Sequence, residues 1–208
     1  MARASGKPAK FRRARCRIVW KRVNPAFVLS PVAPDRLCVT RGSIANGEIH
    51  EPTTRAFARG SYGDAAQLTF TFAGDCARTR ALASGELRRQ LGLKLRAADS
   101  CNVVYVMWRL DPQPELEVSV KYNPGKHTHA ECGASGYTTL GVATVPAPDP
   151  GSTHVLRAEI RGDDLHAWID GGLAWHGPLP VEARALTGPA GLRTDNVRLT
   201  ALGLAVDQ

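Results

Sequence analysis

An all-β fold, two antiparallel sheets packed as a sandwich, is the architecture this chain predicts, and three observations carry the prediction. Apolar and polar residues alternate with period two from about residue 64 onward, the pattern of half-buried strands. Clusters rich in Gly, Pro and Asp, "DPQP", "NPG", "APDPG", "RGDD", "DGG" and "TGPAG", fall between the apolar runs, where tight connections need them. Helical turns are confined to "TRALASGELRRQ" and "VEARAL". With 208 residues and 43% hydrophobic content, the chain suits one sizeable core rather than two ordinary domains.

The formal net charge of +8 is unevenly placed. Residues 1–22 hold nine Lys and Arg and no acidic residue, which leaves 18 basic against 19 acidic residues beyond them. The division is therefore a basic arm over 1–22 and a single, nearly neutral sandwich over 23–208. Clustered basic charge attracts phosphates, anionic surfaces or another acidic partner, and it also describes a solvated tail or an organelle-type presequence. No apolar run approaches the roughly 18 residues that span a bilayer.

Each element follows from its local pattern. Residues 23–63 offer the short apolar pieces "AFVLS" and "RLCVT", one of them expected as an edge strand beside the C-terminal strand, and "ANGE" as a hairpin turn. In "QLTFTFAG", Leu68, Phe70 and Phe72 share a face; in "RQLGLKLRA", Leu91, Leu93 and Leu95 do; in "ELEVSVKY", Leu116, Val118, Val120 and Tyr122 oppose Glu115, Glu117, Ser119 and Lys121. "CNVVYVMWRL" is apolar on both faces, which predicts a central strand whose second face is covered or lines a groove. "KHTHAEC" reads as a strand leaving the "NPG" turn. Further on, Leu156, Ala158 and Ile160 are expected inward with Arg157, Glu159 and Arg161 outward, and Gly171 and Gly172 are expected to take the positive φ of a two-residue hairpin.

The five cysteines, at 16, 38, 76, 101 and 132, include no CxxC pair, so neither a zinc ribbon nor a thioredoxin-like site is indicated. Their wide spacing suits reduced core thiols or one or two bridges. Without a clear export signal the reading leans to reduced thiols and a cytoplasmic location over a secreted one.

The last fifty residues carry a resemblance. "STHVLRAEIRGDDLHAWIDGGLAWHG" followed by "GPAGLRTDNVRLTALGLAV" is similar to the end of concanavalin A-like lectin and glucanase domains, including laminin G-like and keto-disaccharide hydrolase-like sandwiches. The matching positions are His154, Leu156, Arg157, Glu159, Gly162, Asp170, Gly171, Gly188, Gly191, Leu192 and Arg193. The likeness covers 154–206 closely and 64–145 by strand pattern alone. It implies a jelly-roll sandwich and a carbohydrate-binding, lectin-like role. The alternatives are a glycan-active hydrolase or lyase, or a metal-dependent enzyme, on the same scaffold, and a structural protein whose arm contacts an acidic partner.

Three sets of residues are candidates for a site. Sugar recognition needs an aromatic face beside polar groups, which Trp108, Arg109, Lys121 and Tyr122 supply first and His166 with Trp168 second. His127, His129 and Glu131 would share one face of a strand and could hold a divalent metal such as zinc, iron or calcium. Glu115 and Glu117 also share a face and stand nearest to the paired carboxylates of a retaining glycosidase. The acids that glucanases place beside such a pair are replaced here by Val118 and Ser119; two acids on a solvent-facing strand explain the pair more simply.

Overall fold

The computed structural model describes residues 28–133 and 136–208. The basic arm over 1–22 lies outside the described residues. Strands β1 (Leu29–Pro31), β2 (Leu37–Arg41), β3 (Glu48–Ile49), β4 (Thr53–Ala58), β5 (Ala65–Asp75), β6 (Gln90–Leu95), β7 (Val103–Arg109) and β8 (Glu115–Lys121) lead to a one-turn helix, α1 (His129–Cys132). Then come β9 (Tyr137–Thr144), β10 (Thr153–Arg161), β11 (Asp164–Ile169), β12 (Gly172–Pro178), helix α2 (Val181–Arg184), β13 (Gly191–Asp195) and β14 (Val197–Asp207). All pair antiparallel in two sheets. Sheet A runs β1-β14-β5-β10-β11-β12, with β3 also on β14; sheet B runs β2-β4-β13-β6-β7-β8-β9.

The alternation decides what lies between them. Leu68, Phe70, Phe72, Leu156, Ala158 and Ile160 of sheet A meet Leu91, Leu93, Leu95, Val104, Val106, Trp108, Leu116 and Val118 of sheet B in one continuous core. β7 is buried on both faces, its outer residues Val103, Tyr105 and Met107 forming a small second cluster with Ala97. As expected for a piece of the early chain, β1 forms an edge beside β14. The "ANGE" turn closes as Ala45 and Glu48 exchange backbone hydrogen bonds, with Asn46 and Gly47 both at positive φ.

Two local expectations are corrected. "TRALASGELRRQ" is not helical, and of the two helical candidates "VEARAL" alone forms a turn, α2. The "DGG" hairpin sits one residue earlier than expected: Asp170 and Gly171 take positive φ, while Gly172 already pairs with Ile169. Asp170 holds that turn against β10, its carboxylate accepting from the Val155 amide at 2.7 Å and meeting His154 Nδ1 at 2.8 Å, so the His154 and Asp170 of the family-like pattern have a structural role.

The reduced-thiol reading is also overturned. Cys101, just before β7, and Cys132, in α1, form a disulfide with Cα atoms 5.9 Å apart, the separation such a bond requires. Cys76 is a free, buried thiol. Along one flank the sheets touch where β12 meets β9: a β-carbon at Gly141 would lie 2.3 Å from the Trp175 indole nitrogen. Glycine at 141 is what lets that ring close the seam.

Candidate functional site

The alternation that builds the core splits the first predicted groove. Trp108 is wholly buried between the sheets, its ring edge-on to Phe70 at 6.1 Å and its Nε1 donating to the Pro146 carbonyl at 3.0 Å. Tyr122 packs half-buried against the same core. Arg109 and Lys121, their sequence neighbours, point the other way, to the outer face of sheet B, since successive strand residues face opposite sides. Even there the two stand apart: β7 pairs with β8 as Arg109 to Glu115 and Val103 to Lys121, a span of about 20 Å at strand rise.

At the Arg109 end, Nη1 donates to Glu115 at 3.0 Å and Nη2 pairs with Glu117. The two predicted carboxylates thus share one face, both bound to the same guanidinium.

The metal expectation loses its premise. "HTHAEC" is not a strand: Glu131 turns back to accept from the amides of Thr128 and His127 at 2.7 and 3.0 Å and from the Thr128 hydroxyl at 2.8 Å, capping α1. Those bonds, first the Thr128 amide and then the His127 amide, draw its carboxyl down to about 2. His127 instead meets Asp99 at 2.8 Å. Burial, then the nearby cations Lys121 and Arg193, lower the pKa of His129, surroundings that repel a metal cation as they repel a proton. Among the described residues no group of three or more His, Cys, Asp and Glu is placed to hold a metal.

What the register does assemble on the outer face of sheet B is a cationic and aromatic floor. Arg55, Arg193, Gly92 and Met107 lie in one cross-strand row, and Phe57, Gly191, Lys94 and Tyr105 in the next. Beneath Arg55 and Arg193 sits Asp195, fully buried, accepting from Arg55 Nη2 at 2.6 Å, Arg193 Nε at 2.8 Å and Gln90 Nε2 at 2.7 Å. Burial pushes its carboxyl up, but Arg193 and Arg55 pull it further down, for a net shift below the usual range. Tyr105 and Tyr137 stack with centroids 6.0 Å apart; the Arg193 guanidinium lies 5.1 Å from the Tyr105 ring and Lys121 Nζ 4.9 Å from that of Tyr137. Tyr105 is nearly buried and Tyr137 42% exposed, so the stack runs from floor to rim. Lys121 Nζ donates to the Gly133 carbonyl at 2.7 Å and, with the Cys101–Cys132 bond, holds the α1 loop beside this floor.

The second predicted pair is brought together on the outer face of sheet A. His166 stacks on Trp168 at 5.7 Å and lies 4.4 Å from His176. Burial, then His176, lowers the pKa of His166. Arg157 and Arg161 flank the Trp168 ring at 5.7 and 5.4 Å, and both bind the buried Glu159 between them. Gln67, Val155 and Gly171 complete a pocket of about 300 Å³ there.

Arg55, Lys94, Tyr105, Tyr137, Arg193 and Asp195 were not among the sequence candidates. Arg55, Lys94 and Arg193 alternate with inward-facing neighbours in "TTRAFA", "QLGLKL" and "GLRTD", which signals an outward position. Their convergence depends on strand order, which no single segment contains.

No protein-family model matches the chain, and no curated protein matches it. Solved structures match its shape. A carbohydrate-binding module, CBM66, from Bacillus subtilis aligns with a TM-score of 0.57 at 13% identity, over 79% of this chain and 91% of that one. The Emp46p carbohydrate recognition domain aligns at 0.54 and 12% identity, over 83% and 88%. The Crh5 transglycosylase, solved with NAG, aligns at 0.51 and 12% identity, over 85% and 80%. The fold they share with this chain is the two-sheet antiparallel sandwich that the sequence predicts.

Proposed function

We propose that this chain is a carbohydrate-recognition module that binds saccharide across the outer face of sheet B. The observation that carries the reading is the stacked Tyr105–Tyr137 pair set between Lys121 and Arg193. Aromatic faces receive the apolar side of a sugar ring, and flanking cations orient its oxygens. Lys121 and Arg109 mark the two ends of the surface; His166 and Trp168, with the pocket at Arg157 and Arg161, form a second contact surface on the opposite sheet. The similarity to a carbohydrate-binding module and a carbohydrate recognition domain supports this reading, and the Cys101–Cys132 bridge suits an oxidising compartment outside the cytoplasm. The test is glycan-array screening followed by calorimetry with the full chain. Tyr137→Ala should weaken the best ligand about fivefold, in line with the loss of one stacking contact of about 1 kcal/mol. A full array without a ligand, or a ligand indifferent to Tyr137→Ala, would count against it.

A further inference from the structure

Charge on the outer face of sheet B does not balance. At one end Arg109 is matched by Glu115 and Glu117, whereas around the tyrosine stack Arg55, Lys94, Lys121 and Arg193 stand with Asp195 as the one carboxylate that any of them binds among the described residues. Asp195 serves both arginines, and Lys121 is held by a backbone carbonyl. The Lys94 ammonium has no such partner: it makes no hydrogen bond or ion pair with any described residue. Lys94 is part-buried, and charged groups withdrawn even partly from water are normally paired. Residues 1–27, Ala134 and Ser135 include no Asp or Glu either. Burial, then the fields of Arg55 and Arg193, bring the ammonium down to about 7, a cost the fold sustains without return. Uncompensated charge of this kind concentrates at ligand sites.

From this geometry we infer that the saccharide is acidic, its carboxylate or sulfate group seated between Lys94, Arg193 and Arg55 while the sugar ring lies along Tyr105 and Tyr137. The inference rests on the saccharide reading above and adds the substrate class. Guanidinium groups match the planar, multi-oxygen geometry of both anions, and the ammonium of Lys94 adds a mobile point charge. The α1 loop borders the seat on the Lys121 side, where His129, neutral in this field, adds no countercharge.

The experiment is calorimetry on the full chain with four probes: an oligogalacturonate, the same oligosaccharide with its carboxyls reduced to alcohols, a sulfated oligosaccharide and inorganic sulfate. An acidic oligosaccharide should bind at least tenfold more tightly than the reduced one, and more weakly as salt rises. Lys94→Met should lose tenfold or more in that affinity without a fall in melting temperature, a combination that a merely structural lysine would not give; Lys94→Gln serves if the methionine variant misfolds. Comparable binding of acidic and reduced forms overturns the acidic assignment and leaves the saccharide reading standing. Sulfate binding that Lys94→Met abolishes, with no saccharide bound, overturns the saccharide reading and with it the inference as stated. Unchanged affinity in both lysine variants also overturns the inference.

Discussion

The outer faces of the two sheets carry the same kinds of group and settle their charges differently. On sheet A, Arg157 and Arg161 close on the two oxygens of one buried glutamate, Glu159, beside Trp168. On sheet B, Arg55 and Arg193 likewise share Asp195, but Lys94 is added next to them with no acid of its own. The sheet A cluster holds itself together. The sheet B cluster has one cation more than its bonds account for, and that asymmetry separates a cluster whose cations are all paired from one that leaves an ammonium over.

Both faces rest on the shared core, so the largest effect belongs to neither. Trp108→Ala should cost about 3–5 kcal/mol in urea unfolding, with ligand affinity unchanged for the folded fraction. Reducing the Cys101–Cys132 bridge, which closes a separation of 31 residues, should cost about 3 kcal/mol; it should also weaken ligand binding on sheet B, where α1 is anchored, and leave the Trp168 pocket intact. Equal losses on both faces would show that α1 does not belong to the site.

The sharpest contrast is one of sign. Glu159→Gln removes the charge that holds two arginines and should destabilise by about 2–3 kcal/mol, whereas Lys94→Met should stabilise the ligand-free protein. Below about pH 7, Lys94 is charged both folded and unfolded, and its burial penalty is fully expressed. As pH rises toward 10.5 the folded form sheds the proton while the unfolded form keeps it, so stability climbs over that window. Thermal melts across it should show the rise in the parent chain and its loss in Lys94→Met. The smallest effect expected is that of Trp168→Ala, under about 1 kcal/mol of stability for a half-buried surface ring, and a few-fold loss of affinity for any ligand of the sheet A pocket.

Much of the fold was legible because period two is a local property. "QLTFTFAG" and "ELEVSVKY" state which side chains face inward without reference to the rest of the chain, and the two-sided apolarity of "CNVVYVMWRL" marks β7 as central. The site was less legible, for two physical reasons. Sequence neighbours such as Trp108 and Arg109, or Lys121 and Tyr122, look like joint lining of a groove, yet a strand sends them to opposite faces. The residues that do converge, 55, 94 and 193, come from strands made neighbours by the β4-β13-β6 order. Thr128 followed by Glu131 is the spacing of a capping box, a signal the sequence reading passed over in favour of the alternation of His127, His129 and Glu131 that suggested a strand.

The seam between Trp175 and Gly141 bears on how the molecule behaves at high concentration. Exposed strand edges recruit further strands, and on that flank the β9 and β12 edges lie against each other with an indole wedged over a glycine. Alanine at 141 would lever the ring outward and bare two edges together. Self-association in ordered stacks is the hazard that one missing methyl group keeps closed.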